Sequence, residues 1–402
     1  MSWEYVALGE LYEVHNGLSK GGKFFGKGSP FLSFSTVFNK WFLPQELLDL
    51  VQSTDNEQQS YSILRGDVFV TRTSETMDEL GMSSVALKDY PHATYNGFTK
   101  RLRPINPERI LPEFIGYYLR TAVFRAGFTA FSTMTTRASL RNEDLLSMKV
   151  PVPDMQAQKH IASILSAYDD LVESNQKQIK LLEEAAQRLY KEWFVDLRFP
   201  GHETTPIVDG IPQGWERMVL SEVTSVLKRG ISPKYSDNGK YSVINQKCIR
   251  SSIMDISESR RQEKEYVPTL NLQDSDTVIC STGTGTLGRV GRVYGDYPNT
   301  TFDSHVTLVR AKENPNYIYH VVKSQQEYLM GMGRGSTNQQ ELYRDVIERL
   351  VVLCPSQDIL LKADRVLNAI HCKIKAVYLQ NNLLVESRDR LLPKLMSGEL
   401  EV

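Results

Sequence analysis

Cysteine is scarce in this chain, a long apolar run is missing, and net charge is almost nil; each shortage excludes something. The four cysteines, Cys248, Cys280, Cys354 and Cys372, show no CxxC spacing. That spacing argues against a zinc ribbon or a disulfide framework and fits a reducing compartment. No segment approaches the roughly 18 consecutive apolar residues of a membrane span. The opening MSWEYVALGE has no basic stretch followed by an apolar one, so no secretory signal is expected and a cytoplasmic location is. Lys and Arg number 47 against 48 Asp and Glu, a formal charge of −1. A chain so balanced grips a polyanion weakly by charge alone, so nucleic-acid binding would draw on a partner.

Catalytic signatures are missing as well. No lysine has an acidic residue two positions before it, so the Asp…(Asp/Glu)-x-Lys nuclease pattern is absent. The seven histidines are scattered, with no HExxH and no Cys/His cluster, which leaves metal catalysis without support. Gly283, Gly285 and Gly288 match GxGxxG, but the following RVGRVYGDYP is β-branched and glycine-bearing where a dinucleotide site needs a helix. A turn within a β element is expected there. Asn314-Pro315-Asn316-Tyr317 lacks the second proline of the amino-methyltransferase motif and reads as a turn opening a helix. The chain is expected to bind no cofactor and no metal of its own.

What is present is a duplication. Residues 153–194 align with 355–396 without a gap, with nine identities in 42 positions, among them Pro153/Pro355, Leu165/Leu367, Leu182/Leu384 and Leu189/Leu391. Each copy carries apolar residues at alternating spacings of three and four. The first runs through Leu165, Tyr168, Val172, Asn175, Ile179, Leu182, Ala186, Leu189 and Trp193. The second runs through Leu367, Ile370, Ile374, Val377, Asn381, Leu384, Arg388, Leu391 and Leu395. These are a/d seams of about four heptads, each with one asparagine of the kind that fixes register. At about 1.5 Å per residue, each helix is on the order of 60 Å long. The seams predict two helices packed antiparallel; the alternative is two separate core helices. Asp154 is a good N-cap for the first, and Pro393 should end or kink the second near Leu392.

The rest of the chain repeats too. Trp3-Glu4 matches Trp215-Glu216, Asp67-VFVTRTS matches Asp276-TVICST, Asn96-GFTKRLR matches Asp303-SHVTLVR, and Phe131-STMTTRASL matches Gly335-STNQQELY. The expected organisation is an α+β domain over 1–153, a helix over 154–197, a Pro/Gly-bearing linker over 198–214, a second domain over 215–353 and a second helix over 354–402.

The passage PVPDMQAQKHIASILSAYDDLVESNQKQIKLLEEAAQRLYKEWFVDLRFPG resembles the central conserved region of type I restriction–modification specificity subunits. RDRLLPKLMSGELEV resembles their C-terminal conserved region, and DTVICSTGTGTLGRVGRV and GSTNQQEL resemble elements of their target-recognition domains. In the first half, TRTSETMDELGMSS and FSTMTTRASL depart from the glycine-rich versions. The resemblance implies a non-catalytic, DNA-reading subunit. Each domain would read half of a split double-stranded site, and the antiparallel coiled coil would set the gap. Modification subunits using S-adenosylmethionine would dock on it, and restriction subunits using ATP and Mg²⁺ would join them.

Base reading wants Arg or Lys for guanine and Asn or Gln for adenine, with hydroxyls and cations on phosphates. The candidate DNA-contacting residues are Lys20, Lys23, Arg72, Thr73, Thr136 and Arg137 in the first half. In the second they are Lys228, Arg229, Thr284, Arg289, Arg334, Ser336, Thr337, Asn338 and Gln339. Two rivals stay open: a coiled-coil scaffold that binds only proteins, which the near-zero charge favours, and a stand-alone methyltransferase, which the missing cofactor loop disfavours.

Overall fold

The computed structural model describes residues 3–74, 80–131, 138–283, 285–335 and 340–400. They form two compact units, one of Met1–Glu173 with Asn382–Val402 and the other of Ser174–Asn381.

The first unit closes its chain with an antiparallel pair, Glu4–Ala7 against Lys149–Val152. Its four-stranded antiparallel sheet runs in the order Tyr12–Asn16, Thr99–Pro104, Val68–Thr71, Ser83–Val85. The central strand VFVT is buried on both faces, as a continuous β-branched run requires. Beside it lies a three-stranded sheet of Leu50–Val51, Phe25–Leu32 and Thr94–Tyr95, the last pair parallel.

The second unit repeats every step. Glu216–Val219 pairs with Val351–Cys354. The four-stranded sheet is Thr224–Arg229, Val306–Ala311, Thr277–Cys280, Val290–Arg292, and the three-stranded one is Arg260–Gln262, Tyr241–Ile244, Thr300–Phe302. Even an ion pair on a buried aspartate recurs. Arg103 clasps Asp67 through Nε (2.8 Å) and Nη2 (2.6 Å), and Arg310 clasps Asp276 the same way at 2.7 and 2.7 Å. Each aspartate also accepts from a backbone N–H three residues before it, Leu64 or Gln273, at 2.8 Å. Residues 198–214 are not featureless: Ile207–Val208 and Ile211–Pro212 form a small hairpin, and Phe199 is buried against Trp215.

The first long helix spans Met155–Tyr190 and starts where Asp154 Oδ1 accepts from the Ala157 N–H at 2.8 Å. A π turn, Lys191–Val195, follows. The second spans Gln357–Ser397. In the first unit Ile161 and Leu165 share a core with Leu392, Leu395 and Met396, and Asp169 pairs with Arg388. In the second, Asn175 donates to Asn381 at 2.9 Å, while Tyr190 shares a core with Ile359 and Ala363. Residues advancing along one helix meet residues receding along the other, so the pair is antiparallel. Leu165, Leu367, Ile374 and Val377 are buried; Tyr168, Val172, Ile179, Leu182, Leu189, Ile370, Leu384 and Leu391 are half-buried. Apolar residues off the seam, such as Leu181 and Leu383, are exposed.

The second helix does not end at Pro393: it continues to Ser397 and stops at Gly398, whose φ of 72° is left-handed. The missing N–H and the ring clash cost about 3 kcal/mol or more. Burial of Leu392, Leu395 and Met396 around the proline offsets them, at about 1.5–3 kcal/mol per side chain.

Candidate nucleic-acid interface

In each unit four loops meet at one end of the four-stranded sheet, held by backbone hydrogen bonds. In the second unit Ser281 N–H donates to His305 O and Leu342 N–H to Ser281 O, both at 2.8 Å. Arg334 and Glu341 exchange N–H···O bonds at 3.0 and 2.9 Å. Gly230 N–H reaches Val306 O at 3.0 Å. In the first unit Arg72 N–H donates to Phe98 O and Leu140 N–H to Arg72 O, each at 3.0 Å. Thr73 pairs with Ser139, and Leu18 N–H donates to Tyr95 O at 2.8 Å. The close approach depends on Gly17 and Gly230. A Cβ on Gly17 would lie 2.1 Å from Asn96 O, and one on Gly230 would lie 2.2 Å from Asp303 O.

Among the described residues, the structure brings Arg72 and Thr73 together with Phe98 and Ser139, and Arg229, Thr282 and Arg334 together with Glu341, and it sorts the candidate cations. Lys20 is committed: its ammonium donates to Gln52 O at 2.6 Å and Glu57 Oε2 at 2.7 Å. Lys23 is exposed and lies 5.1 Å from the Phe24 ring centroid. Arg72 and Thr73 are half-buried. Arg229 donates to Ser304 O at 2.5 Å and pairs with Glu341, so an acid competes with phosphate for it. Lys228 and Arg334 are exposed and Arg289 half-buried; Arg334 lies over Tyr343 at 5.6 Å. Thr136, Arg137, Thr284, Ser336, Thr337, Asn338 and Gln339 lie outside the described residues.

Several members of the cluster carry no signal in composition or spacing. Lys100 bonds Asn142; burial, then the Arg72 charge, lowers its ammonium pKa. Arg260 stacks on Tyr235 at 3.7 Å. Burial pushes the Asp303 carboxyl up, against the pull of His305 and Arg229. His305 itself holds Thr282 Oγ1 through Nδ1 at 2.6 Å.

The glycines of the GxGxxG match turn between two antiparallel strands, Thr277–Cys280 and Val290–Arg292, with φ of 102°, 75° and 75°. No helix follows to take a pyrophosphate, so the motif serves the loop cluster. Asn314, at φ 51°, opens the helix Pro315–Ser324. Among the described residues no group of His, Cys, Asp and Glu could hold a metal, and no helix is long and apolar enough to cross a membrane. The clusters offer guanidinium, ammonium, hydroxyl and imidazole groups on a fixed backbone, which suits recognition.

The family described as "Type I restriction modification DNA specificity domain" matches residues 1–184 and 212–359. The chain is 28% identical over 334 residues to the type I restriction enzyme MjaIX specificity subunit of Methanocaldococcus jannaschii, covering 79% of this chain and 75% of that one. It is 22% identical over 373 residues to the HindI specificity subunit of Haemophilus influenzae, covering 73% and 79%. The crystal structure of a type I S subunit from M. genitalium has the same fold, with a TM-score of 0.56 at 15% identity over 98% of this chain and 96% of that one.

Proposed function

The chain belongs to the family of type I restriction–modification specificity subunits, and from that premise we propose that each of its units reads one half of a two-part DNA site. As a specificity subunit it is the non-catalytic, DNA-recognising member of its complex. The observation that carries the two-part reading is that the same four-loop cluster, with the same backbone ties, occurs once in each unit. Arg and Lys with exposed donors suit guanine edges and phosphates. The half-sites differ because the side chains on the matched loops differ.

The antiparallel helices, each contributing to both units, act as the spacer ruler, and their outer faces dock methyltransferase subunits. S-adenosylmethionine then belongs to those subunits, and ATP and Mg²⁺ to restriction subunits where present. The near-neutral charge fits a reader that takes part of its phosphate grip from partners.

The test is site selection from a random duplex library with the chain and any methyltransferase that co-purifies with it. Two short motifs at a fixed gap are expected, and a heptad removed from or added to both helices should change the gap while leaving both motifs intact. An unchanged gap would overturn the ruler. No enriched motif from an intact complex would favour a protein-only scaffold.

A further inference from the structure

One exposed side chain sits at the same place in both loop clusters, and its chemistry differs between them. In the first unit the turn Asn96-Gly97-Phe98 leads into the strand Thr99–Pro104; Phe98 N–H donates to Asn96 Oδ1 at 2.7 Å. In the second the turn Asp303-Ser304-His305 leads into Val306–Ala311, and His305 N–H donates to Asp303 Oδ1 at 2.9 Å. The carbonyl of each is also tied, Phe98 O by Arg72 N–H and His305 O by Ser281 N–H. Their backbones are therefore fixed from both sides while the side chains face solvent. Phe98 is 55% exposed, although a phenyl group gains nothing from water. Its backbone lies beside that of Arg72, whose N–H donates to Phe98 O at 3.0 Å.

We propose that Phe98 and His305 are base-reading side chains, one for each half-site, and this rests on the two-part reading above. A rigid backbone with a variable projecting side chain is what direct readout needs. Phe98 has no polar atom, so in a major groove it can recognise only the thymine C5-methyl by apolar contact. His305 has one ring nitrogen taken by Thr282. With the threonine hydroxyl donating to Nδ1, the proton sits on Nε2, a donor suited to purine N7.

The experiment uses the full chain with its co-purifying methyltransferase. Wild type, Phe98→Ala, Phe98→Leu and His305→Ala are each put through site selection, followed by binding to duplexes carrying uracil for thymine or 7-deazapurine for purine. Phe98→Ala should relax one thymine position of one half-site by about tenfold and leave the other half-site unchanged. Uracil there should weaken wild type and Phe98→Leu but not Phe98→Ala. His305→Ala should relax one purine position of the opposite half-site, with the matching insensitivity to 7-deazapurine. Unchanged motifs in folded variants would overturn this inference alone. Loss of a whole half-site with no single position affected would assign these residues to folding. A wild-type chain that selects no motif would remove the reading on which the inference stands.

Discussion

The two units seat their domains on the long helices at matching positions with different chemistry. In the first, Tyr117 OH donates to Asp169 Oδ2 at 2.6 Å, and Arg388 pairs with Asp169 while lying over Trp41 at 4.6 Å. In the second, His320 Nε2 meets His371 Nε2 at 3.0 Å, and Tyr294 OH meets His371 Nδ1 at 2.8 Å. Tyr117 and His320 stand equally far beyond helix-opening prolines, Pro112 and Pro315. Asp169 and His371 share the register of the helical repeat. The hydrogen bond is kept, but the charge is not. The Arg388 and Asp169 side chains are 15% and 29% exposed, so water shares their solvation. His320 and His371 are 3% and 5% exposed, where an ion would be costly. Duplication preserved the geometry of the joint and let burial choose its ionisation.

The largest effects should come where the units do not differ. Asp67→Ala and Asp276→Ala each leave an arginine without its buried partner, which costs about 3–5 kcal/mol. Denaturant unfolding, with hydrogen exchange to localise the loss, should find similar costs in both units. Unequal costs would mean that the shared pair does different jobs in them. Next comes Asp169→Ala, which leaves the Tyr117 hydroxyl without its acceptor and Arg388 with one carboxylate fewer; Arg388 keeps Asp389 at 2.7 Å, which holds the loss to about 2 kcal/mol. A loss as large as that of Asp67→Ala would show that Asp389 does not take over the Arg388 charge.

The second joint should respond to acid. Burial, with the Arg292 charge second, lowers His320 to about 3 and His371 to about 2. In the unfolded chain both return to about 6.5. As pH falls below that value the unfolded state takes up protons first, so the pair's stabilisation is full well above pH 6.5 and is lost progressively as pH falls to about 3 for His320 and about 2 for His371. The bond itself agrees, because one Nε2 must donate and the other accept, and two imidazolium rings cannot do so. Melting curves from pH 7.5 to 5 should show the second unit losing stability faster than the first, at roughly 2–4 °C per kcal/mol. His371→Gln should flatten that slope, and an unaltered slope in the variant would place the acid response elsewhere.

Much of this was legible in the sequence, because helical and strand periodicities are local. The 202-residue repeat and the a/d seams mark both long helices, and Arg388, the one charge in the seams, is explained by Asp169. The parallel stretches also contain both members of the Asp67–Arg103 and Asp276–Arg310 pairs, although no spacing rule joins residues on different strands. Pro393 does not end the helix because propensity is a local cost and the burial around it comes from tertiary packing. The three-stranded sheets were missed: they contain a parallel pairing of distant strands and leave no turn signal to read. Among the candidate site residues, residue type alone could not reveal that Glu57 occupies Lys20 or that Glu341 occupies Arg229.

The smallest effect concerns the seam that both joints share. Asn175 and Asn381 are 7% and 8% exposed and donate and accept across it. Asn175→Leu alone leaves the Asn381 amide buried without its partner and should cost about 1–2 kcal/mol. The double change to leucine removes both polar groups and should be near neutral, or stabilising by about 1 kcal/mol, because two amides no longer need desolvation. The non-additivity measures the pair directly. A leucine pair no longer penalises a shifted helix register. Site selection with the double variant should therefore return both half-sites unchanged but a second, minor spacing beside the main one. A single sharp spacing would mean that the two unlike joints fix the register by themselves, and that the asparagines are a relic of the duplicated seam.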